Sequence, residues 1–271
     1  MAITGGIKFF NKSTALAKDG ATATVTSGDA SSLYALSMNR YIRWDSVGST
    51  DLIWEEYVVN FTEPTTINRL FLVSTNIKEF DIYYDTSLDF TNVLTLNGPT
   101  VGIHETNNTL DTLYYEFDSV TVTNITIRMQ STQTPNQQKF ITLIAPTNEI
   151  GTLEGYPQVT PNTDQNDKLA KTQNGKYITQ KGFEVFDCSL KYEYTNQADV
   201  TLFKDLYEIQ NPFLIWLCGG RFGTEFFSVE FTNWRLQDLF QVQTTGKIRT
   251  TFANNVYTCA PQSSLKFVEE V

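Results

Sequence analysis

The sequence predicts an all-β protein of two β-sandwich domains, the second carrying a single α-helix. Three observations carry this. Between Leu33 and Gly155, short apolar runs are divided by turn residues about every ten positions, the pattern of sandwich strands. From Gly155 to Gly175 the large apolar residues nearly vanish in favour of Pro, Asn, Asp, Gln and Thr, which marks a boundary. Beyond it, Ala198, Leu202, Leu206 and Ile209, with Phe203 beside them, fall on one face at the helical period.

Residues 1–33 are small and polar, with Thr22–Thr26 the only strand-like alternation, so an extended arm is expected there. The strand candidates that follow are Tyr41–Trp44, Ile53–Phe61, Ile67–Val73, Phe80–Tyr84, Val93–Leu96, Leu113–Phe117, Asn124–Met129 and Phe140–Ile144. Glu63-Pro64, Asn97-Gly-Pro99 and Thr134-Pro-Asn136 are among the turns between them. The expected organisation is an arm at 1–33, a jelly roll at 34–154, a linker at 155–175 and a helix-bearing β domain at 176–271. In that last domain, strands are expected at Lys176–Ile178, Phe183–Tyr194, Phe213–Cys218, Glu225–Leu236, Phe240–Thr251 and Val256–Cys259. The helix is expected at about 197–210, with Asn196 as N-cap and Asp199 near the positive end of its dipole. Asn211-Pro212 ends it, because a residue before proline avoids the α region.

Composition excludes whole classes of function. The chain of 271 residues is 41% hydrophobic and 13% aromatic, enough to build cores. Twenty Lys and Arg stand against 30 Asp and Glu, a net charge of -10, so there is no electrostatic footprint for nucleic acid or an anionic bilayer. The apolar run Pro212–Cys218 is too short to cross a membrane, which needs about 20 apolar residues. Cys188, Cys218 and Cys259 form neither a disulfide framework nor a zinc pattern and read as buried thiols. Met1–Phe10 lacks the basic start and long apolar run of a signal peptide, so synthesis in a cytoplasm is expected.

No catalytic set, cofactor motif or metal motif emerges. His104 is the only histidine and reads as an ordinary surface residue in a Gly- and Asn-rich loop. Gly219–Gly223 follows neither phosphate-loop nor dinucleotide spacing, and no serine has the nucleophile-elbow context. Glu55 and Glu56 point to opposite faces of a strand, which spoils them as a hydrolytic pair. Asp81, Asp85 and Asp89 read as a solvated acidic rim, with a cation as the alternative. Aromatics are the better lead. Most should fill the core, but Tyr83-Tyr84 and Tyr114-Tyr115 each put one ring on either face of a strand. Trp44, Trp54, Tyr84 and Tyr115 are the candidate glycan contacts.

Arg40-Tyr-Ile-Arg-Trp-Asp45, Trp54-Glu-Glu-Tyr-Val-Val-Asn-Phe61, Ile67-Asn-Arg-Leu-Phe-Leu72, Asn76–Tyr84 and Asn124-Ile-Thr-Ile-Arg-Met129 together resemble the discoidin, or coagulation-factor type C, family of galactose-binding-like jelly rolls. The family's terminal cysteine pair is absent. The resemblance implies loops at one end that contact glycans or lipid head groups, with no binding residue carried across. Gly182-Phe-Glu-Val-Phe186, the Gln197–Leu206 segment and Asn211-Pro-Phe-Leu-Ile-Trp216 resemble the tail-tube and distal-tail proteins of tailed bacteriophages. That resemblance implies a homo-oligomeric ring in a virion, other tail or baseplate proteins as partners, and a host-surface glycan for the jelly roll. The alternative is a non-viral bacterial carbohydrate-binding module. Neither is an enzyme, and neither needs a cofactor.

Overall fold

The structure is a computed structural model that describes residues 7–39, 41–48, 50–84 and 104–153, and further along the strands and the helix named below. The chain divides into two compact units, Phe10–Glu149 and a second made of Met1–Phe9 with Ile150–Val271. The division thus falls at 149/150, and the first nine residues count with the second unit.

In the first unit the strands are β1 (Ile7–Asn11, straddling the division), β2 (Thr22–Val25), β3 (Trp44–Asp45), β4 (Glu55–Thr75), β5 (Phe80–Tyr84), β6 (His104–Glu105), β7 (Leu113–Met129) and β8 (Phe140–Thr147). The segment expected to be an arm therefore carries two strands. The turn expected at Glu63-Pro64 does not end a strand either. β4 runs through it as one 21-residue element and pairs antiparallel with β7 along nearly its whole length. Pro64 has no N–H to give, and the ladder skips from Asn60–Asn124 to Thr65–Val122 around it. A proline here makes a bulge instead of a terminus.

That bulge folds the β4–β7 ribbon over on itself. Its two ends, Glu55 with Met129 and Leu72 with Leu113, come back to the same end of the unit. There, Thr75 N donates to Asp111 O at 2.7 Å, Lys78 N to Ser131 O at 2.8 Å and Gln133 N to Asn76 O at 2.8 Å. One layer is β2, the first half of β4, the second half of β7, β5 and β6; the other is β3, β8, the second half of β4 and the first half of β7. Tyr57, Val59, Ile82, Ile125 and Ile127 from one layer meet Leu70, Leu72 and Ile144 from the other in the core. Strand period 2 explains the sorting: in the first half of β4, Glu55, Tyr57 and Val59 point inward and Glu56, Val58 and Asn60 outward. Glu55 and Glu56 do face opposite ways.

The loops at this end are tied by polar side chains, of which Asn76, Thr132 and Lys139 are buried. Asp51 Oδ1 accepts from Thr132 N at 3.1 Å and from Thr132 Oγ1 at 3.0 Å, and Asp51 Oδ2 accepts from Asn136 N at 3.1 Å. Lys139 Nζ donates to Thr50 O at 3.0 Å, and burial pushes its ammonium below the usual lysine range. Asn76 bridges Gln138 O at 2.8 Å and Phe140 N at 3.0 Å.

The second unit adds β9 (Glu149–Leu153), β10 (Gln158–Gln165), β11 (Lys168–Lys171), β12 (Tyr177–Gln180), β13 (Glu184–Glu193), β14 (Phe213–Trp216), β15 (Leu239–Thr245) and β16 (Gln262–Glu269). Seven strands form one sheet in the order β10-β13-β16-β15-β14-β1-β9, and β11 pairs with β12 alone. The expected linker at 155–175 is thus corrected: it holds β10 and β11. The expected helix is present as α1 (Gln197–Glu208). Leu202 and Leu206 are buried and Asp205 and Glu208 exposed, as the spacing requires. Ala198 is exposed instead, and Asp199 takes the buried position one turn earlier. Asn196 and Ile209 lie outside the described residues, as do the strands expected at Val93–Leu96, Glu225–Leu236 and Val256–Cys259. Of the cysteines only the backbone of Cys188, in β13, is described. The chain is mostly β, with one short α-helix among the described residues.

Candidate functional site

The four candidate glycan contacts separate. Trp44 is corrected to a core residue: it is 0% exposed, its Nε1 donates to Ser27 O at 3.1 Å, and its ring stands edge-on to Tyr57 at 5.3 Å. It cannot touch a ligand from there. Tyr84 and Tyr115 are half-buried and pack against the core from its margin, and burial raises the Tyr115 phenol. Trp54 alone belongs to a polar surface.

That surface is the outward side of the layer containing β5 and β6, and strand register builds it. Glu56 on β4 lies opposite Arg128 on β7, Arg128 opposite Asp81 on β5, and Asp81 opposite His104 on β6. Four consecutive strands thus present one residue each in a single row, alternating acid, base, acid, base. Cross-strand neighbours of opposite charge hold one another in place. Arg128 Nε lies 3.5 Å from Glu56 Oε1, and His104 Nδ1 lies 2.5 Å from Asp81 Oδ1. Asp81 is buried beneath this row although its strand face is the outer one.

Aromatic rings flank the row. The Arg128 guanidinium sits 4.5 Å from the centroid of the Trp54 ring, a cation–π contact that fixes the indole. Trp54, just before β4, is placed beside the row by its contact with Arg128, and Tyr83 follows Asp81 by two on β5, so period 2 puts it on the same face. Burial, then the Asp81 charge, raises the Tyr83 phenol. His104 was expected in a loop as an ordinary surface histidine. It is exposed, but it forms a strand with Glu105 and its hydrogen bond to Asp81, with the Asp81 charge, raises its pKa above the usual histidine value.

Of the acidic rim, Asp81 is thus an ion-pair partner, while Asp85 and Asp89 lie outside the described residues. No group of three His, Cys, Asp or Glu able to hold a metal ion occurs among the described residues. No helix among them is long and apolar enough to cross a membrane. A second exposed feature is apolar: Leu33, Tyr41, Val47, Leu52, Ile53 and Leu110 stand out from loops and Tyr34 from a single 3-10 turn.

No family model matches the chain, and no curated protein does. Among solved structures, it is similar to chitosan-binding module 1 of a chitosanase/glucanase from Paenibacillus sp. IK-5, at 16% identity and a TM-score of 0.41 over 51% of this chain and 98% of that one. It is also similar to the family 32 carbohydrate-binding module of C. perfringens NanJ, solved with galactose, at 13% identity and a TM-score of 0.38 over 51% of this chain and 98% of that one. A Clostridium perfringens module solved with GalNAc-β-1,3-galactose matches at 13% identity and a TM-score of 0.38, over 48% of this chain and 97% of that one. Likeness at this level leaves the chemistry of the row, not the neighbours, as the guide to what the chain does.

Proposed function

We propose that the chain is a non-catalytic glycan-binding protein whose ligand lies across Trp54, Glu56, Arg128, Tyr83 and His104, with Asp81 buried beneath them. The observation that carries this is the row itself. A sugar hydroxyl both donates and accepts, and the row offers carboxylate acceptors and nitrogen donors in alternation, one per strand, about 4.8 Å apart. The rings beside it offer flat apolar surface to the C–H faces of a pyranose, as binding sites with a few convergent polar groups do. Because Glu56, Arg128, Asp81 and His104 each stand on a strand, and Trp54 is packed on Arg128, the arrangement is held without a ligand.

A printed glycan array followed by calorimetry on the hits tests this. Trp54→Ala is expected to weaken the best hit at least about tenfold, or about 1.4 kcal/mol, while the thermal unfolding curve barely moves. Trp54 lies outside the core cluster, so its loss should spare the fold. An array without hits, or full affinity in Trp54→Ala, would sink the reading.

The finer reading makes the chain a subunit of a bacteriophage tail or baseplate, in the virion, with other tail proteins as partners and a host-surface glycan as the ligand. It rests on a separate observation, the seven-stranded sheet with one helix in the second unit. The outermost described strands, β10 and β9, would pair with neighbouring subunits and close a ring. Sedimentation velocity decides it. A chain that stays monomeric at every concentration and joins no particle loses this reading and keeps the glycan one.

A further inference from the structure

Resting on the glycan reading of this face, we propose that its ligand is non-acidic: a neutral, hydroxyl-rich sugar, with uronates, sialic acids and sulfated sugars excluded.

A carboxylate or sulfate is best held by a guanidinium presenting two N–H groups at once. Arg128 is the arginine in the row, and its position is already taken on three sides. Glu56 lies 3.5 Å from its Nε, Asp81 is its cross-strand neighbour on β5, and its guanidinium lies against the Trp54 ring. An incoming anion would have to displace Glu56 or settle beside it. His104, the other basic residue of the row, has its Nδ1 committed to Asp81 Oδ1 at 2.5 Å and also lies in the field of the Glu79 and Glu105 carboxylates. Glu56 and Asp81 thus neighbour Arg128, and Asp81, Glu79 and Glu105 act on His104, so both basic groups stand in an acidic setting. The chain's net charge of -10 adds a repulsive field at longer range.

A neutral sugar meets none of this. A hydroxyl carries no charge and can accept or donate, so it binds beside these ion pairs without any charge being displaced or left without a counterion. Selectivity then comes from repulsion of the wrong ligand as much as from attraction of the right one.

The test is an array on which neutral glycans are printed beside their sialylated, sulfated and uronate-bearing counterparts, followed by calorimetry on each matched pair at low and high salt. The neutral member is expected to bind about tenfold more tightly at low salt, with the gap narrowing as salt screens the carboxylates. Glu56→Gln should narrow the gap in the same direction by strengthening the acidic member. Equal or tighter binding of the acidic members overturns the inference and leaves the glycan reading standing. Binding of neither member of any pair overturns both. The salt series on the unaltered protein decides the matter even if Glu56→Gln fails to fold.

Discussion

Replacing Trp44 with alanine is expected to destabilise the first unit by about 3–5 kcal/mol, the usual cost of truncating a fully buried aromatic. Its indole is 0% exposed and packs edge-on against Tyr57 at 5.3 Å. The two rings come from opposite layers, β3 beside β8 and the first half of β4, so the contact holds the sandwich together across its thickness. The variant also strands an acceptor, since Ser27 O loses the indole N–H at 3.1 Å. Tyr57 is itself committed there, with its hydroxyl donating to Ser32 O and burial raising its pKa. Urea unfolding of the full chain followed by circular dichroism should show the midpoint fall. A loss below about 1 kcal/mol would mean that Trp44 is not the keystone of the core described above.

Gly28→Ala is expected to be nearly as damaging, for a backbone reason. Gly28 has φ +77, a left-handed conformation that costs an alanine about 1–2 kcal/mol. A Cβ there would also stand 2.1 Å from Asp45 O and 2.9 Å from Trp44 Nε1. The first is a main-chain atom and cannot step aside, so β3 must shift, adding about 1–3 kcal/mol of overpacking. Gly48→Ala is the control. Its φ is +92, but nothing lies within 4 Å of the Cβ position, so only the conformational term applies. Equal melting temperatures for the two variants would refute the close approach of Gly28 to Asp45.

These two sites also show where the sequence could and could not be read. The helix was readable because Leu202 and Leu206 sit four apart between polar positions, a local pattern that needs no knowledge of the partner. The inward and outward sides of β4 were readable for the same reason, from period 2. Trp44 was not, because β3 is two residues long and alternation says nothing over so short a span. The stretch at 155–175 misled in the other direction. Its polar composition reads as linker, yet β10 is held by backbone pairing with β13, which asks nothing of side-chain polarity. Pro161 fits there because β10 closes the described order of its sheet, where a missing N–H costs least.

The row of Glu56, Arg128, Asp81 and His104 was the least readable feature. Glu56, Asp81 and His104 each invited attention, but nothing local links them to one another or to Arg128. Register alone does, and register depends on where the bulge at Pro64 falls. A slip of one residue in β7 against β4 would turn Arg128 into the core and bring Ile127 to the surface.

The folded-over β4–β7 ribbon also bears on how the chain finds this shape. Closing a loop costs entropy that grows with the logarithm of its length, and the two ends of the ribbon enclose loops of very different length. Leu72 and Leu113 enclose the shorter one, Glu55 and Met129 the longer. Pairing that begins at Leu72–Leu113 meets the smaller barrier and shortens every later closure as it advances toward the bulge. Once past Pro64, the ribbon delivers Arg128 to Glu56 with little search left to make. High contact order of this kind slows folding, and here the slow closure comes first and the pairing of Arg128 with Glu56 follows from it.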